Sequence, residues 1–285
     1  MRMKQNHYSS TLLDGILVVN TGLNLPAPRA AHMLHERGAR IIKVEPPQGD
    51  TFEHFCKAWY EDMLQGVERR RLDLKSEAGR QAMDNLLTDA DILITSQRPA
   101  ALERMGLAAE NLRKRYPRLS IVNIIGSASE HSHLPGHDLT YQARAGLLEP
   151  PNLPRSLLAD LAGAQQAVIA ALSLLHAGGG IQQVALSDAA ELFQEPVSYH
   201  LTRRGGLLGG GHAGYNIYRT ADGYIALAAL EHHFWPALHD IFLGLPDDPF
   251  SPRAHEILRA GFQNKTTTQW LFLARERDIP LEAIV

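Results

Sequence analysis

Short runs of β-branched and aliphatic residues alternate with amphipathic stretches along the first half of the chain, and this alternation constrains the fold more than any other feature. The apolar runs are ILVV, RIIKVE, DILIT and LSIVNII, and the stretches between them include PAPRAAHMLHERG and SEAGRQAMDNLLTDA. Strands that alternate with helix-length segments favour a parallel sheet joined by crossover helices. The pattern predicts an α/β fold with a Rossmann-like parallel sheet, followed by a helical region over about residues 138–175.

The pattern changes at the glycine-rich stretch RRGGLLGGGHAGY. Before it, QQVALSDAAELF reads as a strand entering a helix, and after it short strands (YNIYR, GYIALAA) alternate with helices such as HEILRAGF and TTTQWLFLARER. We place a boundary near Gly205, between a large α/β domain over residues 1–204 and a smaller α+β domain over residues 205–285. The consecutive glycines read as a flexible linker, and they lack the strand and spacing of a dinucleotide-binding motif.

Composition indicates an ordinary soluble enzyme. The 285 residues are 45% hydrophobic and carry a net charge of −3, so the chain can bury a large core and shows no basic bias toward nucleic acid. The basic runs ERRRLDLK and RKRYPR are typical of solvated faces. The single cysteine, Cys56, excludes an intramolecular disulfide and a cysteine-based metal cluster, which favours a reducing cytoplasm. MRMKQNHYSS has no apolar signal core, and no uninterrupted apolar run reaches about 18 residues, so neither export nor membrane spanning is expected.

Three ionisable residues lie in unusual local sequences: His137 in PGHDLTYQARAGLL, Asp160 in SLLADLAGAQQAVIAALSLL, and Glu231 in ADGYIALAALEHHF. Moving a proton on and off a carbon beside a carbonyl needs two groups that flank that carbon and a fixed dipole that holds the enolate charge. The three segments contain the residue types for this task.

Each of these residues also has an ordinary structural interpretation. Asp160 lies just ahead of a long apolar helical run, where free N–H groups attract anions, but it also fits a simple N-cap. His137 is one of 14 histidines, most of which serve structure or solvation in any protein. Glu231 suits a solvated position at the head of the helix EHHFWPALHDIF, where acidic side chains favour the helix dipole. The residues alone leave these alternatives open.

Several segments resemble one known family in order and approximate spacing. GHDLTYQARAGLL, LLADLAG and YNIYRTADGYIALAALE are similar to α-methylacyl-CoA racemases, members of the family III CoA-transferase superfamily. LLDGILVVNTG, HERGARIIKVEPPQGD, RRRLDLKSEAGR and SQRPAALERMGL also resemble superfamily segments, so the resemblance covers nearly the whole chain. It implies that His137 and Asp160 are the two acid/base residues, that Glu231 pairs with His137, and that the start of the helix at Asp160 helps to hold the enolate oxygen.

The resemblance also implies a coenzyme A site in the large domain. The RLDLK segment would run along the adenine end of CoA through backbone groups, two arginines would bind its phosphates, and the GHD segment would line the thioester end. For Arg71, a simple surface charge in a basic run is an equal alternative. The residues implied are Arg71, Leu72, Asp73, Leu74, Arg98, Gly136, Asp138 and Tyr141.

The function expected from the resemblance is that of an acyl-CoA α-epimerase acting by 1,1-proton transfer on an acyl-CoA substrate, as an interlocked homodimer, without a metal or redox cofactor. The alternatives are a family III CoA-transferase with Asp160 as nucleophile and the glycine-rich stretch as a lid, or a CoA-binding scaffold. Two departures bear on this choice. The loop GSASEHSHLPGHD is short and rich in histidine, and the resemblance implies a further segment after DIPLEAIV.

Overall fold

The computed structural model describes residues 11–128 and 134–284. It contains two compact units, Met1–Phe193 and Gln194–Val285. The glycine-rich stretch belongs to the second of these units, and the domain boundary near Gly205 stays a prediction. This stretch is packed within the second unit, because Leu208 N–H donates to Leu201 O (2.9 Å) and Gly211 N–H donates to Gly206 O (2.8 Å).

A six-stranded sheet forms the centre of the first unit. Neighbouring strands are all parallel, in the order β3-β2-β1-β4-β5-β6. This order reverses direction between β1 and β4, which is the switch point where doubly wound sheets bind ligands outside the carboxyl ends of their strands. The predicted Rossmann-like α/β fold is confirmed. The strands are β1 (Leu17–Asn20), β2 (Arg40–Glu45), β3 (Glu68–Arg71), β4 (Ile92–Thr95), β5 (Ser120–Ile125) and β6 (Gly180–Ala185).

Helices cover both faces of this sheet. Alternate strand residues point to opposite faces: Val18, Ile41 and Val122 belong to one core cluster, and Val19 and Ile42 belong to another. Helices α1 and α8 pack in the first cluster, whereas α4, α5 and α6 pack in the second. The helices are α1 (Pro26–His35), α2 (Phe52–Phe55), α3 (Lys57–Met63), α4 (Glu77–Thr88), α5 (Pro99–Arg104), α6 (Ala109–Arg115), α7 (Asp138–Arg144), α8 (Leu158–His176) and α9 (Leu186–Glu191).

The single helical region predicted over residues 138–175 is two helices, α7 and α8, with a connection over residues 145–157. Proline is the physical reason, because it lacks an N–H and disfavours a helical conformation in the residue before it. Pro150, Pro151 and Pro154 all lie in this connection. Helix α8 is long and apolar enough to cross a membrane by length and composition alone. In this unit it packs against the sheet and α1, with Ala164, Ala167 and Ala171 in the core.

A cluster of buried charged side chains lies at the carboxyl end of β2. Lys43 is 1% exposed, and its Nζ lies 2.8 Å from Asp50 Oδ2, 3.9 Å from Glu45 Oε1 and 3.1 Å from Gly22 O. The Tyr60 hydroxyl donates to Glu45 Oε1, and burial, reinforced by this carboxylate, raises the Tyr60 pKa above its usual range. The Lys43 ammonium group therefore lies between two carboxylates at the carboxyl end of the sheet.

The second unit is a small α+β structure. Its three antiparallel strands lie in the order β7-β8-β9, and its helices bury a core of aromatic residues that includes Trp235, Phe262 and Trp270. The predicted smaller α+β domain is confirmed. The elements are α10 (Glu195–Ser198), an irregular helical turn over Leu207–Gly211, β7 (Tyr215–Arg219), β8 (Tyr224–Ala228), α11 (Phe234–Ile241), α12 (Pro252–Phe262), α13 (Thr267–Glu276) and β9 (Leu281–Ala283).

Candidate active site

Two of the three predicted catalytic residues lie at the starts of neighbouring helices, α7 and α8. His137 is exposed and immediately precedes α7, while Asp160 is half-buried in the first turn of α8. Thr140 holds the backbone of His137, since its Oγ1 accepts from His137 N–H (3.1 Å) and donates to His137 O (2.8 Å). These two hydrogen bonds therefore hold the main chain of His137 at the start of α7.

Asp138 joins the two helix starts. It follows His137 in the chain and is 5% exposed, and its Oδ1 accepts a hydrogen bond from Asp160 N–H (3.1 Å). A carboxylate that accepts a main-chain N–H at the start of a helix satisfies a donor with no partner inside the helix, and its charge favours the helix dipole. The residue after one predicted acid/base group therefore anchors the other.

The carboxyl group of Asp160 is set up for proton transfer. Burial, followed by the nearby charge of Asp138, raises the Asp160 pKa from 3.8 to about 7. Both causes disfavour the ionised form, because burial removes water from the charge and a second carboxylate repels it. A carboxyl group with this pKa exchanges protons at neutral pH, the condition for a general acid or base.

Gln142, one turn along α7, holds the other oxygen of Asp138. Gln142 is fully buried, and its Nε2 donates to Asp138 Oδ2 (2.5 Å) and to Ser156 O (2.9 Å). Sequence reasoning assigned no role to Gln142. The i, i+4 spacing of Asp138 and Gln142 on one helix is a signal that could have found their contact, whereas the bond to Ser156 depends on the connection between α7 and α8.

Tyr141 packs against the glycines that precede α7. A Cβ atom at Gly136 would lie 2.6 Å from Tyr141 Cε1, and one at Gly126 would overlap the Tyr141 hydroxyl, so both positions need glycine. Burial and the charge of Asp160 raise the Tyr141 pKa above its usual value. Asp138 and Tyr141 therefore lie near Asp160, and Gly136 packs against Tyr141. The predicted contact of these three residues with a thioester stays a prediction. Part of the loop before them, residues 129–133, lies outside the described residues.

Two main-chain groups at the start of α8 are already paired. The Asp160 N–H donates to Asp138, and the Leu161 N–H donates to Leu157 O (3.0 Å). The expected help of this helix start in holding an enolate oxygen stays a prediction. The Asp138 carboxylate is likewise committed to protein groups.

The residues predicted to bind CoA follow the carboxyl ends of three strands. Arg71 ends β3 and is 52% exposed, with its Nε 4.0 Å from Glu45 Oε2. Arg98 follows β4 and is exposed at the start of α5. Because the strands are parallel, these positions and the GHD segment after β5 share one edge of the sheet. Their roles toward phosphates stay predictions.

The RLDLK segment makes a turn into α4. Leu72 and Leu74 pack against the core, Leu72 N–H donates to Glu45 O (2.8 Å), and Asp73 O accepts from the Ser76 hydroxyl (2.8 Å). The Leu72 N–H and the Asp73 carbonyl are therefore already paired. A contact of this segment with adenine through backbone groups must use other atoms.

Glu231 belongs to the second unit. It is exposed in a turn between β8 and α11, and its carbonyl accepts from Phe234 N–H (3.0 Å). Because α11 begins at Phe234, Glu231 lies ahead of the helix rather than in its first turn. Its pairing with His137 stays a prediction. Across residues 11–128 and 134–284, no group of three or more His, Cys, Asp or Glu side chains is placed to hold a metal ion.

Comparison with known proteins identifies the family of the chain. The chain is 28% identical to a probable fatty acyl-CoA transferase of Mycobacterium tuberculosis, over 92% of the chain and 79% of the relative. It is 29% identical to the human alpha-methylacyl-CoA racemase, over 90% of the chain and 74% of the relative. A crystal structure of a hypothetical protein from Mycobacterium tuberculosis, 27% identical, superposes with a TM-score of 0.81 over 96% of this chain and 84% of the other. The family model of CoA-transferase family III matches residues 13–285, and the chain belongs to this family.

Proposed function

We propose that the protein is an acyl-CoA racemase that inverts the α-carbon of a 2-methyl-branched acyl-CoA by 1,1-proton transfer. The observation that carries this proposal is the carboxyl group of Asp160, with its pKa raised to about 7, tied through Asp138 to the helix start that bears His137. Proton transfer works best when the pKa of the catalytic group is near the working pH.

In the proposed reaction, ionised Asp160 removes the α-proton from one face of the substrate, and the electron pair of the broken C–H bond moves into the thioester carbonyl to form an enolate. Protonated His137 then gives a proton to the opposite face of the same carbon. Asp160 is left protonated and His137 neutral, which is the starting state for the reverse direction. Glu231 would stabilise the protonated form of His137, and no metal or redox cofactor takes part.

The test is incubation with each epimer of a 2-methylacyl-CoA in D₂O, followed by NMR of the α-position. Exposed His137 exchanges its proton with solvent, so the inverted product should carry deuterium at the α-carbon, with no added carboxylic acid. Acyl transfer to a free acid without α-exchange would overturn the racemase proposal.

The second candidate is a CoA-transferase, favoured by the relative named as a probable fatty acyl-CoA transferase. In that reaction the ionised Asp160 attacks the thioester carbonyl, expels the CoA thiolate and forms an acyl-aspartyl anhydride. Attack needs the ionised form, of which a group with a pKa of about 7 has only about half at neutral pH. A covalent acyl-enzyme found by mass spectrometry, and lost in Asp160→Asn, would favour this candidate.

A further inference from the structure

Asp138 and Gln142 form a polar connection beneath Asp160 that the sequence comparison does not assign to catalysis. Both side chains are buried, and the connection runs from Ser156 O through the Gln142 amide and the Asp138 carboxylate to Asp160 N–H. Polar side chains are costly to bury unless they are hydrogen-bonded, so these two residues call for an explanation.

The orientation of the Gln142 amide is fixed by its two neighbours. Asp138 Oδ2 and Ser156 O are both acceptors, so only the NH₂ end of the amide can face them. The consequence is that Gln142 Oε1 is buried without a partner among the residues that the structure describes. A buried acceptor without a partner is unfavourable, so this orientation is held against a local penalty.

We propose that Asp138 and Gln142 are positioning residues, in which Gln142 fixes the Asp138 carboxylate, and Asp138 fixes the main chain of Asp160 and holds a negative charge against its carboxyl group. The use of Asp160 in catalysis rests on the proposed function, whereas these contacts do not. The raised pKa of Asp160, caused by burial and then by Asp138, agrees with this placement.

Asp138 is the charged group that acts on Asp160 among the described neighbours. Helix α8 packs against α1, α7, α9, β5 and β6, and neither of these strands carries a charged residue. Arg144 on α7 donates to Ser127 Oγ (3.1 Å), and Asp188 on α9 accepts from Ser187 Oγ (2.8 Å). The titratable side chains on these helices, with His137 before α7, are Arg29, His32, His35, His137, Asp138, Tyr141, Arg144, Asp188 and Glu191.

The test is a direct titration of Asp160 by NMR in protein labelled with ¹³C at the aspartate Cγ. The Asp160 signal is assigned by its loss in Asp160→Asn, and its midpoint should lie at about pH 7. In Asp138→Asn, which keeps an acceptor for the Asp160 N–H but removes the charge, the midpoint should move to lower pH. Asp84→Asn is the matched control. Asp84 is paired with Arg115 and Tyr116, so its removal should leave the midpoint in place.

Hydrogen exchange tests the role of Gln142. In Gln142→Leu, which keeps the volume but removes the amide, exchange of the Asp160 N–H should accelerate at least about tenfold, as expected when about 1.4 kcal/mol of protection is lost. The Leu161 N–H, bonded to Leu157 O, should change much less and serves as an internal reference.

An unchanged Asp160 midpoint in Asp138→Asn would overturn the role of Asp138, and unchanged exchange in Gln142→Leu would overturn that of Gln142. If Asp138→Asn does not fold, Asp138→Glu replaces it. Asp138→Glu keeps the negative charge on a longer side chain. The Asp160 midpoint should still move, because the carboxylate can no longer occupy the same position. These readouts need no turnover, so a failed α-exchange assay would reject the racemase proposal and leave this inference standing.

Discussion

Among the described residues of the first unit, buried carboxylates lie in two places, and the charges beside them have opposite signs in the two places. At the carboxyl end of β2, Lys43 lies between Asp50 and Glu45, so the buried negative charges have a buried cation beside them. At the start of α8, Asp160 lies beside Asp138, a second carboxylate. The first cluster combines opposite charges, and the second combines like charges.

This difference in neighbouring charge implies different roles for the two groups of carboxylates. Opposite charges held close in the interior keep one another ionised, and the loss of one partner leaves a costly unpaired charge. Like charges held close force one of the two groups to take up a proton near neutral pH, which weakens folding but provides a group able to exchange protons. We therefore expect the cluster at β2 to serve stability and the pair at α7 and α8 to serve the proposed chemistry.

The largest expected effect comes from breaking the β2 cluster. Lys43→Met keeps the approximate length of the side chain but leaves Asp50 buried without its cation, and it should lower the free energy of unfolding by about 3–5 kcal/mol in urea denaturation. Lys57→Met removes an exposed lysine paired with Glu61 (3.7 Å) and should change it by less than about 1 kcal/mol. Equal effects of the two substitutions would contradict the structural role of Lys43.

The next effect concerns the pair at α8 and has the opposite sign. Asp160→Asn should raise the free energy of unfolding at pH 8. The Asp160 pKa is 3.8 in the unfolded chain and about 7 in the folded one, so the folded protein loses stability as pH rises from about 4 to about 7. The gain is at most about 4 kcal/mol, since each pH unit corresponds to about 1.4 kcal/mol.

The variant and the parent protein should converge at about pH 4, where Asp160 is protonated in both the folded and the unfolded state. Denaturation curves across this range check the prediction. A stability difference that does not depend on pH would mean that the substitution acts through packing rather than through charge.

How far the sequence predicts these two regions differs as well. The alternation of ILVV, RIIKVE and DILIT predicts the parallel sheet, because a buried strand needs a continuous apolar run. Strand β3 is missed, since its four residues, Glu68–Arg71, are all charged and lie at the edge of the sheet. Charged side chains are one way in which a protein protects an edge strand from pairing with other chains.

For the site, the sequence identifies candidate residues but not the contacts between them. The motifs around His137 and Asp160 carry the resemblance, but Asp138 and Asp160 are 22 residues apart, and only the packing of α7 against α8 brings them together. The prolines of the connection mark the break between the helices. They do not specify where the second helix packs. That depends on contacts with other elements, such as the close approach of Gly163 to Leu186 of α9.

The third prediction tests whether His137 and Asp160 act as the two acid/base residues. His137→Ala and Asp160→Ala should each lower the epimerisation rate by about 10² or more, as expected for a positioned acid or base, while CoA binding stays within a few fold. His176→Ala is the control, because His176 is exposed at the far end of α8 from Asp160. Full activity in His137→Ala together with an inactive Asp160→Ala would reject the two-base mechanism.

The smallest expected effect comes from Glu231. The prediction tests whether the negative charge of Glu231 stabilises protonated His137, in contrast to the negative charge of Asp138, which disfavours ionised Asp160. A neighbouring carboxylate favours the charged form of an imidazole. Glu231→Gln removes the charge and keeps the shape, so the basic limb of the pH–rate profile, where the reaction starts from protonated His137, should move to lower pH, with about a tenfold loss of rate. The acidic limb, set by Asp160 at about pH 7, should stay in place.

Glu256→Gln is the control for this prediction. It removes an exposed carboxylate near Arg253 and should leave both limbs of the pH–rate profile unchanged. If Glu231→Gln behaves like this control, Glu231 is a solvated residue ahead of α11, and the protonated form of His137 must be stabilised by another group.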